Sequence, residues 1–355
     1  MPRELDEYDR KRDFTATPEP RGEAPPSDGD ELGGRFVIQQ HDATRLHWDL
    51  RLEHDGVLLS WALPRGLPWD PGRNHLAVHT EDHPLEYLEF EGDIPDGNYG
   101  AGHMFVWDTG SYTAEKITDD KVVFTLAGER AGGRHALFQT DGRNWMIHRM
   151  DPPVDPDRRH LPDRFPLLVP DAGPTPDDPG EDWAVEPRWR GLRVAVVSSG
   201  GVVDVLADGH FPVTDVFPEI RPIGRALGYT EAALDGVLVA PAGAADRLHR
   251  RLSVKSDSTR RKLARDIPMS FMAVDLLWQD GYPLADRPWR ERRDRLEDLA
   301  LSGPAWATPS AATGDTAALV EASAGAGLDE VVLKRVDAPY DPDAEPRPWR
   351  IVPTG

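Results

Sequence analysis

The sequence predicts a multi-domain chain: an N-terminal antiparallel β-barrel or sandwich followed by a C-terminal segment of mixed helices and strands, α+β or α/β. Two patterns carry this. Between Arg35 and about Met150, short runs of alternating polar and apolar residues recur at roughly 8- to 15-residue spacing, with turn sequences such as HDG, PDGNYG and AGG between them. Beyond Trp183, strand-like runs alternate with amphipathic helical patterns. The length of 355 residues is enough for two cores, and 34 prolines with 32 glycines exclude a long-helix or coiled-coil protein.

In chain order, residues 1–34 form an arm rich in Pro, Gly, Asp and Glu that composition alone leaves without stable secondary structure. Residues 35–151 hold the expected strands RFVIQQH, LHWDLRLEH, GVLLSWAL, HLAVHTE, LEYLEFEG, HMFVWDTG, KVVFTLAG, HALFQT and NWMIHRM. Residues 152–182 read as a Pro/Asp-rich linker. Residues 183–355 contain the strands LRVAVVSS, VVDVLAD, SFMAVDLLW and EVVLKRV and the helices WRERRDRLEDLAL and TAALVEASAGAG.

No run of apolar residues approaches the 18 of a transmembrane helix, and the charged N-terminus MPRELDEYDRKRDF has no secretory apolar core. With no cysteine, disulfides, thiolate metal sites and cysteine nucleophiles are excluded, which fits a cytoplasmic location. The net charge of −21 argues against broad binding to nucleic acid, and the first 150 residues, with 16 basic and 28 acidic side chains, share the bias. Net charge still averages over surfaces that a ligand never meets.

Nine of the twelve histidines fall in the first 150 residues. The densest group is HDATRLHWDLR, residues 41–51. Side chains two apart on a strand share a face, so His47, Asp49 and Arg51 form one row opposite an apolar stripe of Trp48, Leu50 and Leu52. His41, a turn's length earlier, can fold back to the same face. Two imidazoles and a carboxylate suit Mn, Fe or Zn with open positions, and the arginine suits a bidentate phosphate contact. The same alternation also suits a plain solvent-facing strand. His83 and Tyr87, in HTEDHPLEY, add an imidazole and a phenol fit for phosphate binding or proton transfer.

These residues lie in text that closely resembles the 3′-phosphoesterase domain of bacterial ligase D, the multifunctional end-joining DNA ligase. The matching stretches are YDRKRDFTATPEP, RFVIQQHDATRLHWDLRLEHDGVLLSWALPRG, EDHPLEYLEFEGDIPDGNYGAG and NWMIHRMD. The resemblance implies a Mn²⁺-dependent enzyme that trims DNA 3′ ends, removing a terminal ribonucleoside and then the 3′-phosphate left behind. Carried over by position, His41, His47 and Asp49 would hold the metal. Arg51, His83 and Tyr87 would form the phosphate-binding and catalytic shell, joined by Arg12, Asp13 and Glu19 from an arm folded over the site. Gln40 and Arg65 are candidate substrate contacts. The implied partners are DNA 3′ ends on primer-templates, with Ku and separate ligase or polymerase proteins in a split end-joining system, and no membrane.

Residues 183–355 resemble the nucleotidyltransferase domain of ATP-dependent DNA ligases in eroded form. The family motif E-x-K-x-D-G-x-R aligns with Glu186-Pro187-Arg188-Trp189-Arg190-Gly191-Leu192-Arg193, so Arg188 stands where the lysine nucleophile belongs and Arg190 where an acid belongs. A guanidinium keeps its proton and cannot form the phosphoramidate. Val237 replaces a glutamate after Asp235-Gly236, while Lys334 is retained near Asp329 and Glu330. The resemblance would place a lysine-bearing final motif and an OB-fold beyond PWRIVPTG, and the domain is expected to lack both. Self-adenylation is therefore not expected and ATP binding is in doubt. The domain is left as a ligand- or partner-binding fold, a stabilising one, or a non-catalytic end-joining scaffold.

Overall fold

The segment LHWDLRLEH becomes a strand because its apolar side chains repeat every second residue, and the same rule governs the strands around it. In the computed structural model, described over residues 5–22, 33–43, 46–173, 182–228, 230–240 and 245–355, nine strands build the first unit. They are β1 (Gly33–Asp42), β2 (Leu46–His54), β3 (Val57–Leu63), β4 (His75–His79), β5 (Gly92–Ile94), β6 (Gly102–Thr118), β7 (Lys121–Gly128), β8 (Gly132–Asp141) and β9 (Asn144–Arg149). The order β1-β2-β3-β4-β9-β8-β7-β6 is closed by pairing of β1 with β6, giving an eight-stranded antiparallel barrel with β5 on the flank of β6. Closure leaves no free edge among those eight strands.

Phe36, Ile38, Trp48, Leu50, Leu52 and Trp61 are among the buried residues of the barrel core. A second apolar cluster, with Val37, Leu58, Tyr87 and Met104, lies against the opposite face of β1 and includes Tyr8 from the arm. The β2–β3 hairpin turns at Asp55-Gly56, both at positive φ (49° and 79°), the pairing that a two-residue turn of this hand requires. One extra residue of β6, Trp107, interrupts the register opposite Ile38 and Gln39 and bends the strand beside the candidate site.

The segment LEYLEFEG does not form the expected strand. Residues Leu85–Glu89 make a 3₁₀ turn, and only Gly92–Ile94 pairs as β5. The Gln39 side-chain amide donates to the carbonyls of Tyr87 (3.0 Å) and Phe90 (2.9 Å), supplying hydrogen bonds that a ladder would otherwise make.

The arm is structured where it is described. A short helix, α1 (Asp6–Arg10), carries Tyr8, which is fully buried and donates from its hydroxyl to the Pro20 carbonyl at 2.7 Å. Residues 1–4 and 23–32 of the arm lie outside the described residues.

The second unit spans Asp157–Gly355. The expected linker is corrected over residues 157–173, where Phe165 and Leu168 are buried with Ala195, Tyr340 and Trp349 and Asp171–Ala172 pairs in parallel with Trp349–Pro353, while its residues 174–181 lie outside the described residues. Two apolar anchors within a proline-rich stretch outweigh its composition. One sheet contains Trp183–Pro187, Glu330–Arg335 and Trp349–Pro353; another is centred on Leu192–Ser199, Ala232–Val239 and Ser270–Gln279. The two expected helices form at Trp289–Asp298 and Thr316–Gly325, the latter capped by Asp315 accepting from Ala318 N. This is an α+β domain.

Candidate active site

The antiparallel register sets His41 directly opposite His47, and Gln39 opposite Asp49. His41 thus belongs to β1 itself rather than to a turn folded back, and the two strands bring three candidate ligands to one face. His41 Nδ1 lies 3.7 Å from Asp49 Oδ2 and His47 Nε2 lies 3.6 Å from Asp49 Oδ1. One donor atom from each residue falls within 4.8 Å of the others, spacing that suits a single first-row divalent cation with positions left open. His41 Nε2 is 2.9 Å from the Gly100 carbonyl; donating there leaves Nδ1 unprotonated toward Asp49, the tautomer a metal needs. Burial opposes ionisation of Asp49, yet the Arg51 guanidinium holds its carboxyl well below the usual carboxylate range.

Arg51 is 3% exposed and locked by three donors: Nε to Gln39 Oε1 (2.7 Å), Nη1 to Ser60 Oγ (3.0 Å) and Nη2 to Asp49 Oδ2 (3.0 Å). Its guanidinium sits 4.5 Å from the centre of the Tyr87 ring. That leaves two of the five N–H groups beyond those three bonds.

His83 is tied to β3 by reciprocal backbone bonds with Leu58 (2.8 and 3.0 Å), which fixes its ring between Tyr8 and Tyr87. Its Nδ1 lies 2.8 Å from the Glu81 carbonyl and its Nε2 3.1 Å from Arg12 Nη2, so Nδ1 donates and Nε2 accepts. Burial, then the charges of Arg51 and Arg12, push its pKa well below the ordinary value, so the imidazole is neutral.

The arm completes the cluster. Arg12 donates to Glu19 (2.7 Å) and Glu81 (3.0 Å), and Tyr87 donates its hydroxyl to the same Glu19 oxygen at 2.7 Å. Burial raises the Tyr87 pKa well above the usual phenol value, so it stays a donor. His41, His47, Asp49, Arg51, His83, Tyr87, Arg12 and Glu19 therefore form one continuous set.

Three expected residues do not join it. Asp13 is exposed and shapes the following turn, accepting from the Thr15 amide (3.0 Å) and hydroxyl (2.6 Å). Gln40 faces away, because strand alternation puts it with Trp48 on the core side of the β1–β2 ladder; its Oε1 is buried without a partner among the described residues. Arg65 is exposed in the turn after β3, outside the hydrogen bonds that bind the cluster. Gln39, Ser60 and Glu81 were missed. Gln39 was legible, being two residues from His41 on the same face; Ser60 and Glu81 become visible only through β3 pairing and the fold of the arm.

In the second unit, Arg188 and Arg190 both pair with Glu330, the Arg190 contact at 2.5 Å. Gly191 runs so close to Leu238 that a Cβ there would meet its carbonyl oxygen. Arg193 donates to both oxygens of Asp235 at 2.6 Å, and Tyr340 donates to the same carboxylate at 2.8 Å. Lys334, 1% exposed, pairs with Glu186 at 2.8 Å and donates to the Val274 carbonyl at 2.7 Å. Burial lowers the Lys334 pKa and raises that of Glu186.

A closed barrel carrying a two-histidine, one-carboxylate set beside a buried arginine fits the class of phosphoesterase-type domains with a candidate metal site. The family follows from comparison. Residues 39–139 match the family described as the DNA Ligase D 3′-phosphoesterase domain, and residues 177–350 match the ATP dependent DNA ligase domain. The chain is 38% identical over 349 residues to the multifunctional non-homologous end joining protein LigD of Mycobacterium bovis, covering 97% of this chain and 44% of that protein. It is 33% identical over 387 residues to its Pseudomonas aeruginosa namesake, covering 95% and 45%. A solved structure titled mycobacterial DNA ligase D complexed with ATP and MES aligns with 26% identity and a TM-score of 0.44, covering 55% of this chain and 62% of that one. The chain thus carries a match to the ligase D 3′-phosphoesterase domain followed by a match to the ATP-dependent DNA ligase domain, is homologous to LigD at 33–38% identity, and spans under half the length of these curated relatives.

Proposed function

We propose that the barrel is a Mn²⁺-dependent 3′-phosphoesterase that removes a 3′-terminal ribonucleoside, and then the remaining 3′-phosphate, from DNA ends in double-strand break repair by end joining. The observation that carries this reading is the unbroken chain of contacts from the His41, His47 and Asp49 set through Arg51 to Tyr87 and His83. A bound divalent cation supplies Lewis-acid stabilisation of a phosphate oxygen. Arg51 offers its remaining N–H groups to the phosphate from a position already desolvated and locked, so charge developing in the transition state meets a prearranged donor. Neutral His83 exposes an accepting Nε2 to any substrate hydroxyl that displaces the Arg12 N–H, and the ribose 2′-OH is such a group. Arg12, Glu19 and Tyr87 hold one another in place around that atom.

DNA 3′ ends are the proposed substrates, and Ku with separate ligase or polymerase proteins the proposed partners. No described helix is long and apolar enough to cross a membrane, and action in the cytoplasm, at the nucleoid, fits that reading. A primer-template carrying a 3′-ribonucleotide or a 3′-phosphate, incubated with the protein and Mn²⁺, is expected to lose either group, and the His41→Ala variant to leave both. Retention of both groups by the wild type would overturn the assignment.

The match of residues 177–350 favours a second reading, an ATP-dependent DNA ligase. Against it stands Arg188, a charged side chain already paired with Glu330 where a nucleophilic amine is needed. Neither Lys334, committed to Glu186, nor Lys255 and Lys262, on an arginine-rich stretch, replaces it. The second unit is thus a ligase-type fold without self-adenylation, and a non-catalytic scaffold is the reading that would survive loss of both activities.

A further inference from the structure

The turn joining β5 to β6 places an exposed aromatic ring beside the cluster. Pro95 to Ala101 is a compact double turn: Asn98 N donates to the Pro95 carbonyl at 3.2 Å, its side chain donates to the same oxygen at 3.0 Å, and Ala101 N donates to the Asn98 carbonyl at 3.2 Å. Gly97 and Gly100, at φ of 90° and 75°, allow this path. At its outer end Tyr99 is 47% exposed, an uncommon state for so large a ring. The next residue, Gly100, supplies the carbonyl that orients His41, so the ring is one peptide unit from the anchor of the proposed metal ligand.

The ring is also held from below. Lys11 Nζ lies 4.8 Å from its centroid, itself pinned at 2.8 Å to both Glu7 and Glu81, and the Arg12 guanidinium lies 5.7 Å from the same centroid. Cations against an aromatic face favour its position electrostatically, and a rigid turn presents it with little further ordering on binding. Among the described residues of the first unit, the other exposed large apolar side chains, Leu76, Met150 and Val154, sit on β4 and after β9, not on the turn that anchors His41.

We infer that Tyr99 is the stacking platform for the nucleobase at the 3′ terminus, a positioning residue that holds the end while its phosphate lies at Arg51. This rests on the proposed 3′-end reading for its substrate. Stacking on a π face tolerates any base, which fits an enzyme that must accept ends of arbitrary sequence. It also supplies affinity that a strongly acidic domain cannot draw from phosphate contacts along a duplex.

The test uses the full chain with Mg²⁺ and a single-stranded 3′ tail ending in a 2-aminopurine deoxynucleoside with a free 3′-hydroxyl, which offers no group for removal. Titration of wild-type protein is expected to quench the 2-aminopurine fluorescence. In Tyr99→Ala the midpoint rises on the order of ten-fold or more, and Tyr99→Trp restores it. Absence of quenching by the wild type, or an unchanged midpoint in Tyr99→Ala, overturns the inference. Trimming of a 3′-ribonucleotide, assayed in parallel, separates the two ideas. Tyr99-dependent quenching without trimming leaves the platform standing while the enzymatic reading falls; trimming with Tyr99-independent quenching overturns the platform alone.

Discussion

Arg51 donates from Nη2 to Asp49 Oδ2 at 3.0 Å, so the guanidinium proposed to meet phosphate and the carboxylate proposed to hold the metal are fixed by one bond. Neither side chain is positioned independently. Arg51→Lys keeps the charge but cannot reach Gln39, Ser60 and Asp49 together. Trimming is expected to fall by about two orders of magnitude, as for loss of a prearranged oxyanion donor. Single-turnover kinetics at saturating Mn²⁺ would check this; activity within about three-fold of wild type would remove Arg51 from the proposed mechanism.

The neighbouring glutamines offer a sharper contrast. Gln39→Ala removes the acceptor for Arg51 Nε and the amide that holds the Tyr87 and Phe90 carbonyls, so activity is expected to fall at least about ten-fold. Gln40→Leu alters the core side of the same strand, where one amide oxygen already lacks a partner, and is expected to leave trimming within about three-fold. Side-by-side assays on one substrate would decide it. The reverse ranking would mean that the face assignment of β1 is wrong.

His135, stacked on Phe124 in the barrel wall, is buried, and burial lowers its pKa from 6.5 to about 4. The unfolded chain therefore binds a proton below about pH 6.5 that the folded barrel takes up only near pH 4. The sign follows directly: stability falls as pH drops through this window, by about 3 kcal/mol in all from this group. Denaturant unfolding at pH 7.5 and pH 4.5 should show His135→Gln losing less stability on acidification than wild type. Equal losses would place the acid sensitivity elsewhere.

Arg188 is expected to accept no AMP. Labelled ATP followed by a denaturing gel should show no covalent band from the wild type, and a band would restore the ligase reading. Lys334 is expected to matter for folding instead. Lys334→Met leaves the buried Glu186 carboxylate with the longer 3.6 Å contact to Arg293 in place of the 2.8 Å pair and should destabilise the second unit by up to about 3 to 5 kcal/mol. Adding Glu186→Gln should recover part of that loss, and thermal unfolding of the two single variants and the double variant would measure the coupling.

The sequence by itself determined the barrel strands and one row of the site. Alternation in LHWDLRLEH put His47, Asp49 and Arg51 on one face, because a strand has a period of two and the opposite face must be apolar. By the same rule Gln39, not Gln40, shares the face of His41. The resemblance to ligase D brought Arg12 and Glu19 into view, since nothing in the composition of the arm distinguishes it from a solvated tail. Tertiary structure decided the rest. A charged arm becomes ordered only when Tyr8 is buried and Arg12 finds both Glu19 and Glu81, partners 7 and 69 residues away along the chain. Likewise, LEYLEFEG has strand-like alternation, and the Gln39 amide taking its carbonyls turned it into a 3₁₀ segment that presents Tyr87 to Arg51. Local periodicity says which face a residue occupies; what stands opposite that face depends on long-range pairing, which no short window of sequence contains.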